Sequence, residues 1–233
     1  AKRPLALVGQ GVTLSGAQQE LVRFLEKAGI PCGTTTLGLS AIPSNHPLNK
    51  GMLGMHGAYA TSLKTQECDV LIAIGMRFSD RVTGRRDTYA RQAKIIHFEI
   101  DPSEVNKCIA VDVPVMGDCR ATLAAVTELI DKADHREWCD SFDVPAAEEM
   151  EKVIMPECHP TEGPLKMGEV ISRVTELTEN KAVCVTDVGQ NQMMACRYLK
   201  FTQPRSIITS GGMGTMGFGL PAAMGAAVAA PER

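Results

Sequence analysis

The sequence predicts an α/β fold, a parallel sheet flanked by helices, followed by a second, truncated α/β unit. Two observations carry this. Over the first 131 residues, short apolar segments bounded by Gly, Pro or Asp alternate with segments of helical period; strands so uniformly apolar are buried on both faces, as in parallel sheets. From about position 164 the alternation resumes but delivers only two strands, too few to complete such a sheet.

The strands of the first unit are expected at Pro4–Gly9, Pro31–Leu37, Asp69–Gly75, Ala93–Ile100 and Val113–Gly117. A helix is expected behind Ser15, which pairs with Gln18 in a capping-box pattern; Ala17, Leu21, Phe24, Leu25 and Ala28 line one face, and Gly29 stops it. Asp118 can cap another helix, with Leu123, Val126 and Ile130 as its stripe. Prolines, acidic clusters and the lack of an apolar period at 134–163 predict a connection with one short helix near Ala146–Lys152. Beyond it, a helix is expected over Leu165–Thr178, with Met167, Val170, Ile171, Val174 and Leu177 on one side. A strand at Ala182–Gly189, a helix at Gln190–Leu199, a strand at Ser206–Gly212 and a closing apolar helix complete the second unit. The expected division is therefore 1–133, a linker at 134–163, and 164–233.

Composition narrows the function. A net charge of −3 argues against a nucleic-acid partner, which needs a basic face. No signal peptide and no membrane-spanning stretch is read in the sequence. The eight cysteines are scattered, with no C-x-x-C and no histidine pair at metal spacing, so they are expected to be reduced core residues of a cytoplasmic protein, and no metal ligands are assigned.

Several glycine-rich or basic turns follow strands. Gly9, Gly11 and Gly16 in "GQGVTLSG" miss the dinucleotide fingerprint, because Leu14 occupies its third glycine position; the turn is either a tight βα connection or a phosphate seat. "GMLGMHG" (Gly51–Gly57) mixes flexible backbone with Leu, Met and His, suiting a flat ring system or, alternatively, a loop buried under another domain. In "GMRFSDRVTGR" (Gly75–Arg85), Arg77 and Arg81 can clamp phosphate or stack on a ring, or they can form a surface ion-pair cluster with Asp80 and Asp87. Glu99 ends another strand, where a carboxylate can bind ribose hydroxyls, and Met116–Asp118 repeats the arrangement. Together these turns point to an extended nucleotide-containing ligand. In the second unit, Asp187, Gly189, Gln190 and Asn191 form one turn, and Gly211, Gly212, Gly214, Gly217 and Gly219 surround Met213 and Met216. Such glycine density permits close backbone approach to a ligand, or a turn packed against a neighbouring helix.

With "GMLGMHG", "GMRFSDRVTG", "IHFEIDPSEVNK", "TDVGQNQM" and "SGGMGTMGFGLPAAMGA" in this order, the chain resembles the large catalytic subunit of acetohydroxyacid synthase, also called acetolactate synthase. The resemblance runs through essentially the whole chain. It implies a Rossmann-like central FAD-binding domain and the first part of a thiamine diphosphate-binding domain, with the magnesium motif beyond this chain. It implies FAD contacts at Gly9, Gly11, Thr36, Leu37, Leu53, Gly54, Met55, His56, Gly75, Arg77, Arg81, Val82, Glu99, Ile100 and Asp118. Thiamine diphosphate contacts are implied at Gly189, Gln190, Asn191 and Gly214, with Met216 in the catalytic role of bending that cofactor. Three positions depart from the family pattern: Asn191 replaces a histidine, Ser79 an aspartate and Glu99 an aspartate. The implied reaction decarboxylates pyruvate and joins the remainder to pyruvate or 2-ketobutyrate, the first common step of branched-chain amino-acid biosynthesis. It involves no net redox change, so FAD is expected to be structural. A homodimer or tetramer with a small regulatory subunit is implied, and this piece alone is expected to be inactive. Rival readings are another thiamine diphosphate carboligase or decarboxylase and a non-catalytic FAD-binding module.

Overall fold

A computed structural model describes all 233 residues. Six parallel strands form one sheet: β1 (Pro4–Val8), β2 (Cys32–Thr34), β3 (Asn49–Met52), β4 (Val70–Ile74), β5 (Lys94–Glu99) and β6 (Val113–Met116), in spatial order β3-β2-β1-β4-β5-β6. In register, Ala6 faces Cys32 on one side and Ile72 on the other. Side chains alternate across the pleat. Ala6, Val8, Ile72 and Ile74 enter a core with Leu21, Phe24, Leu25 and Leu123, while Leu5, Leu7, Leu71 and Ala73 enter another with Phe78, Trp138 and Phe142. The first core is roofed by α2 (Gln18–Ala28) and α5 (Cys119–Leu129), tied by Arg120 to Glu20 at 3.1 Å. Asp118 caps α5 as expected, its Oδ1 accepting from the amides of Arg120 and Ala121. Gly29 ends α2 at φ 61°, a left-handed conformation that glycine adopts without a Cβ penalty.

Several expectations change. The Ser15–Gln18 capping box does not form: a short helix, α1 (Gln10–Leu14), precedes it, and Ser15 donates its hydroxyl to Val12 O at 3.3 Å instead. The residue capping α2 is Ala17, with no side-chain bond. Strand β3 was not anticipated, because "NKGM" carries no apolar run; at the sheet edge it needs none. The opposite edge strand, β6, is largely solvent-exposed rather than buried on both faces.

The segment expected to be a linker is mostly helical: α6 (Arg136–Asp140), α7 (Asp143–Glu149), a π-helical turn at Met150–Ile154, and α8 (Met155–Cys158). Its burial comes from single aromatic anchors rather than a periodic stripe, which hid it from pattern reading. Trp138 donates its indole N–H to Pro4 O at 2.7 Å and stacks edge-on with Phe142. Lys64 lies over the Trp138 ring and Lys50 over that of Phe142, pinning α6 and α7 to the sheet with α3 (Tyr59–Thr65).

In the second unit, α9 (Met167–Leu177), β7 (Cys184–Val185), α10 (Gln190–Tyr198), β8 (Ile207–Ile208) and α11 (Gly219–Ala229) surround a two-stranded parallel sheet. Both strands are shorter than expected, having a single partner each. The expected stripe of α9 is also corrected. Met167, Val170, Val174 and Leu177 are exposed, whereas Ile171 packs on a small core of Leu39, Met52, Ala195, Cys196, Leu199 and Phe201. The buried line runs through Gly168, Ile171 and Thr175. That core joins the two units, and Phe201 and Ser44 exchange two hydrogen bonds across the joint.

Candidate functional site

Because the six strands are parallel, all their carboxyl ends lie on one edge. Gly9 follows β1, Thr36 and Leu37 follow β2, and Leu53, Gly54, Met55 and His56 follow β3. Gly75 and Arg77 follow β4, Glu99 closes β5 with Ile100 behind it, and Asp118 follows β6. At the usual strand spacing this rim is about 24 Å long. The spatial order reverses direction between β1 and β4, the place where open α/β sheets bind ligands.

At that switch point the glycines have a reason of their own. A Cβ on Gly9 would lie 2.2 Å from Gly75 O, and one on Gly11 2.7 Å from Gly75 Cα. Gly11 also donates its amide to Gly75 O at 3.0 Å. These turns pack backbone against backbone, which accounts for Gly9 and Gly11 as a tight connection. Leu37 belongs to a 3-10 turn, Thr36–Gly38, capped by Thr35, and its side chain reaches the second unit, next to Gly211. Thr36 turns its hydroxyl towards Met52 Sδ at 3.8 Å.

The loops after β3 and β4 are the open part of the rim. Met55 donates its amide to Arg81 O at 2.8 Å, and Arg81 Nη1 lies 3.8 Å from Met55 Sδ. Gly54, at φ 100°, lets Arg81 O approach where a Cβ would stand 2.6 Å away. Arg77 and Arg81 are exposed and neither forms an ion pair; Arg85 takes Asp87 instead. The salt-bridge alternative for these two arginines therefore does not describe the fold. The short helix α4 (Asp80–Thr83), which carries Arg81 and Val82, is capped by Ser79, whose Oγ accepts from Arg81 N at 3.3 Å. Serine performs that capping as an aspartate would. Leu53, Gly54, Met55, Arg81 and Val82 line a cavity of about 310 Å³. Its wall also holds Tyr89, whose buried hydroxyl has no partner. Of the two arginines only Arg81 lines this cavity, beside the exposed thioether of Met55, while the Tyr89 hydroxyl is enclosed behind the wall. An unpaired guanidinium next to a soft thioether suits an anionic ligand with a flat ring.

Glu99 and Asp118 are less available. Glu99 is buried, and its Oε1 accepts from the amides of Ile100 and Asp101 at 2.8 and 3.1 Å. Its Oε2 lies 3.6 Å from His97 Nε2. Ile100 is exposed, and Asp118 spends Oδ1 on the α5 cap.

In the second unit Asp187 organises the glycine turn. Its Oδ1 accepts from Val188 N and Gly217 N, and Oδ2 from Gly219 N at 2.9 Å. The Gly219 amide is the chief cause holding its carboxyl below the ordinary aspartate range, followed by Val188. Gly189, Gly214 and Gly217 have positive φ, and a Cβ on Gly189, Gly212 or Gly217 would meet nothing within 4 Å. Met216 is exposed. The glycine turn is thus open to solvent rather than packed on a helix, with Gly211 against Leu37 as its contact to the first unit. Gln190 opens α10, and Asn191 donates Nδ2 to Val188 O at 3.1 Å, bracing that turn. Gln192 joins Thr209 and Thr186 in a hydroxyl–amide chain between the strand ends.

Sequence reading missed the Arg197–Glu149 ion pair that joins α10, α7 and the β3 loop; nothing in the spacing of these residues signals it. The cysteines are all free, and burial pushes the thiols of Cys32, Cys68, Cys119 and Cys196 up to about 12, so none of these four is a thiolate at neutral pH. No three His, Cys, Asp or Glu side chains stand together as a metal site. No helix is long and apolar enough to cross a membrane.

An open parallel sheet with its loops gathered at the carboxyl edge is the architecture of α/β proteins that hold nucleotide-like ligands there. The chain belongs to the thiamine pyrophosphate enzymes (thiamine pyrophosphate and thiamine diphosphate being one cofactor). Residues 1–126 match the central domain of that family and residues 187–233 its C-terminal TPP-binding domain. It is 42% identical over 244 residues to a probable acetolactate synthase large subunit of Methanococcus aeolicus, covering 100% of this chain and 41% of that protein. A probable large subunit of Methanocaldococcus jannaschii is 44% identical, over 99% of this chain and 40% of its own length. The isozyme 2 large subunit of Escherichia coli K12 is 40% identical over 100% of this chain and 41% of its length. The chain thus spans about 40% of the length of the curated relatives it matches.

Proposed function

We propose that this chain is the FAD-binding central domain and the first part of the diphosphate-binding domain of an acetolactate synthase large subunit. The boundaries we assign are 1–133 and 164–233, joined by a helical connection, 134–163, whose Trp138 and Phe142 pack into the core of the first unit. The observation that carries the flavin part is the unpaired guanidinium of Arg81 beside exposed Met55 in the cavity on the carboxyl edge, with the unpaired Arg77 on the loop after β4 of the same edge. The printed names of the relatives support the rest.

On this reading Arg77 and Arg81 bind the flavin diphosphate, and Met55 and His56 lie along its ring. Leu53, Gly54, Val82 and Ile100 shape the cleft, Thr36 and Leu37 extend it, and Glu99 and Asp118 close its far end. Thiamine diphosphate supplies, when bound, a ring that stabilises the carbanion left after a 2-ketoacid loses carbon dioxide. Gly189, Gln190, Asn191 and Gly214 would hold it. Met216 would set its shape, a proximity contribution to catalysis. Mg2+ would be held by residues outside this chain. Pyruvate and 2-ketobutyrate are the substrates of the whole subunit, which would act as a homodimer or tetramer with a small regulatory subunit in the cytoplasm. The test is a flavin absorption spectrum recorded after incubation with FAD and removal of free flavin. Retained, stoichiometric flavin supports the reading, and colourless protein overturns it.

A further inference from the structure

The loop after β3 is strapped from two sides. From the first unit, Arg81 O takes the amide of Met55. From the second unit, Arg197 at the end of α10 donates Nη1 to His56 O at 3.1 Å and to Gly57 O at 2.5 Å. Its Nη2 pairs with Glu149 Oε1 on α7, and Glu149 Oε2 accepts the amide of Tyr59 at 2.8 Å. The side chains of Arg197 and Glu149 are 20% and 8% exposed. A charge pair so far removed from water is retained only with its hydrogen bonds satisfied, and loss of one partner leaves the other uncompensated. The planar guanidinium fork serves both carbonyls and the carboxylate at once, which an ammonium cannot do in that geometry.

We propose that Arg197, held by Glu149, is a positioning residue for the flavin cleft: the second unit sets the backbone of the Leu53–His56 loop without touching the flavin. This rests on the flavin reading above. At its other end α10 begins at the Gly189 turn, so one helix spans from the proposed thiamine diphosphate turn to the flavin loop.

The test uses the whole 233-residue chain with Arg197→Ala, Arg197→Lys, Glu149→Gln and the Arg197→Ala/Glu149→Gln double variant. FAD affinity is read by titration, and amide exchange at Met55, Gly57 and Tyr59 by mass spectrometry or NMR. Arg197→Ala is expected to weaken FAD binding about tenfold and to quicken exchange in the loop, while Leu71 and Ile72 in the sheet keep their protection. Arg197→Lys should recover part of the affinity, and the double variant should lose less than the sum of the singles. Quickened loop exchange with unchanged FAD affinity overturns the proposal and leaves the flavin reading standing. Unchanged exchange and affinity overturn it equally. Absence of FAD binding by the unaltered chain removes the flavin reading and the proposal together. Loss of protection at Leu71 and Ile72 in Arg197→Ala would make the residue a determinant of the whole fold and overturn the positioning role.

Discussion

Two sets of glycines, one in each unit, do opposite work. In the first, Gly9, Gly38 and Gly75 stand where other backbone already fills the space: a Cβ on Gly38 would sit 2.0 Å from Val8 O. In the second, Gly189, Gly212 and Gly217 face open space, and two of them need positive φ. The first set lets a six-stranded sheet close its loops tightly over two cores. The second leaves a turn bare, braced by Asp187. A glycine-rich motif alone does not say which job it performs; the neighbours of the missing Cβ do.

The contrast breaks most visibly at the aromatic anchor of the connection 134–163. Trp138→Ala should cost roughly 3–5 kcal/mol in chemical denaturation, as for large core aromatics, because α6 is part of the first unit's core. A loss under about 1 kcal/mol would mean that the connection 134–163 lies on the first unit without being part of its core. Next, Gly38→Ala should destabilise the chain by about 3 kcal/mol through overpacking against backbone, whereas Gly212→Ala should change stability by less than about 0.5 kcal/mol. Equal effects would erase the distinction between the two glycine sets.

A local, pH-dependent effect comes last. Asp187 is held below the ordinary aspartate value of 3.8, first by the Gly219 amide and then by Val188. Its stabilising contribution is present above the unfolded value and is lost as the pH falls through the lower folded one. The Gly219 amide resonance should therefore titrate with a midpoint below 3.8, and Asp187→Asn should abolish that transition. A midpoint at or above 3.8 would mean that Asp187 does not hold the glycine turn.

Much of this was legible in the residues. Uniform apolar runs gave β1, β4 and β5, because a central parallel strand buries both faces. Asp118 and Gly29 signalled helix ends whose geometry the structure repeats. Edge strand β3 was hidden, since an edge needs no apolar run. The α6–α8 segment was hidden for another reason: Trp138 and Phe142 anchor it singly, without a period. The apolar stripe of α9 does not mark its buried face, because Ile171 packs on the core around Ala195, Cys196 and Phe201 and brings Gly168 and Thr175 inward with it. At the candidate site, the convergence of the turns followed from counting strands. The curl of Glu99 onto its own backbone and the Arg197–Glu149 strap depended on side-chain geometry that spacing does not encode.

The claim on which the account turns is that the carboxyl edge of the first sheet is a flavin rim with Arg77 and Arg81 as its anion clamp. The direct measurement is FAD affinity of the unaltered chain against Arg77→Ala and Arg81→Ala at two salt concentrations. Each substitution should weaken binding about tenfold and reduce its salt dependence, as expected for a charge-assisted contact. Saturable FAD binding indifferent to both arginines and to salt would contradict it.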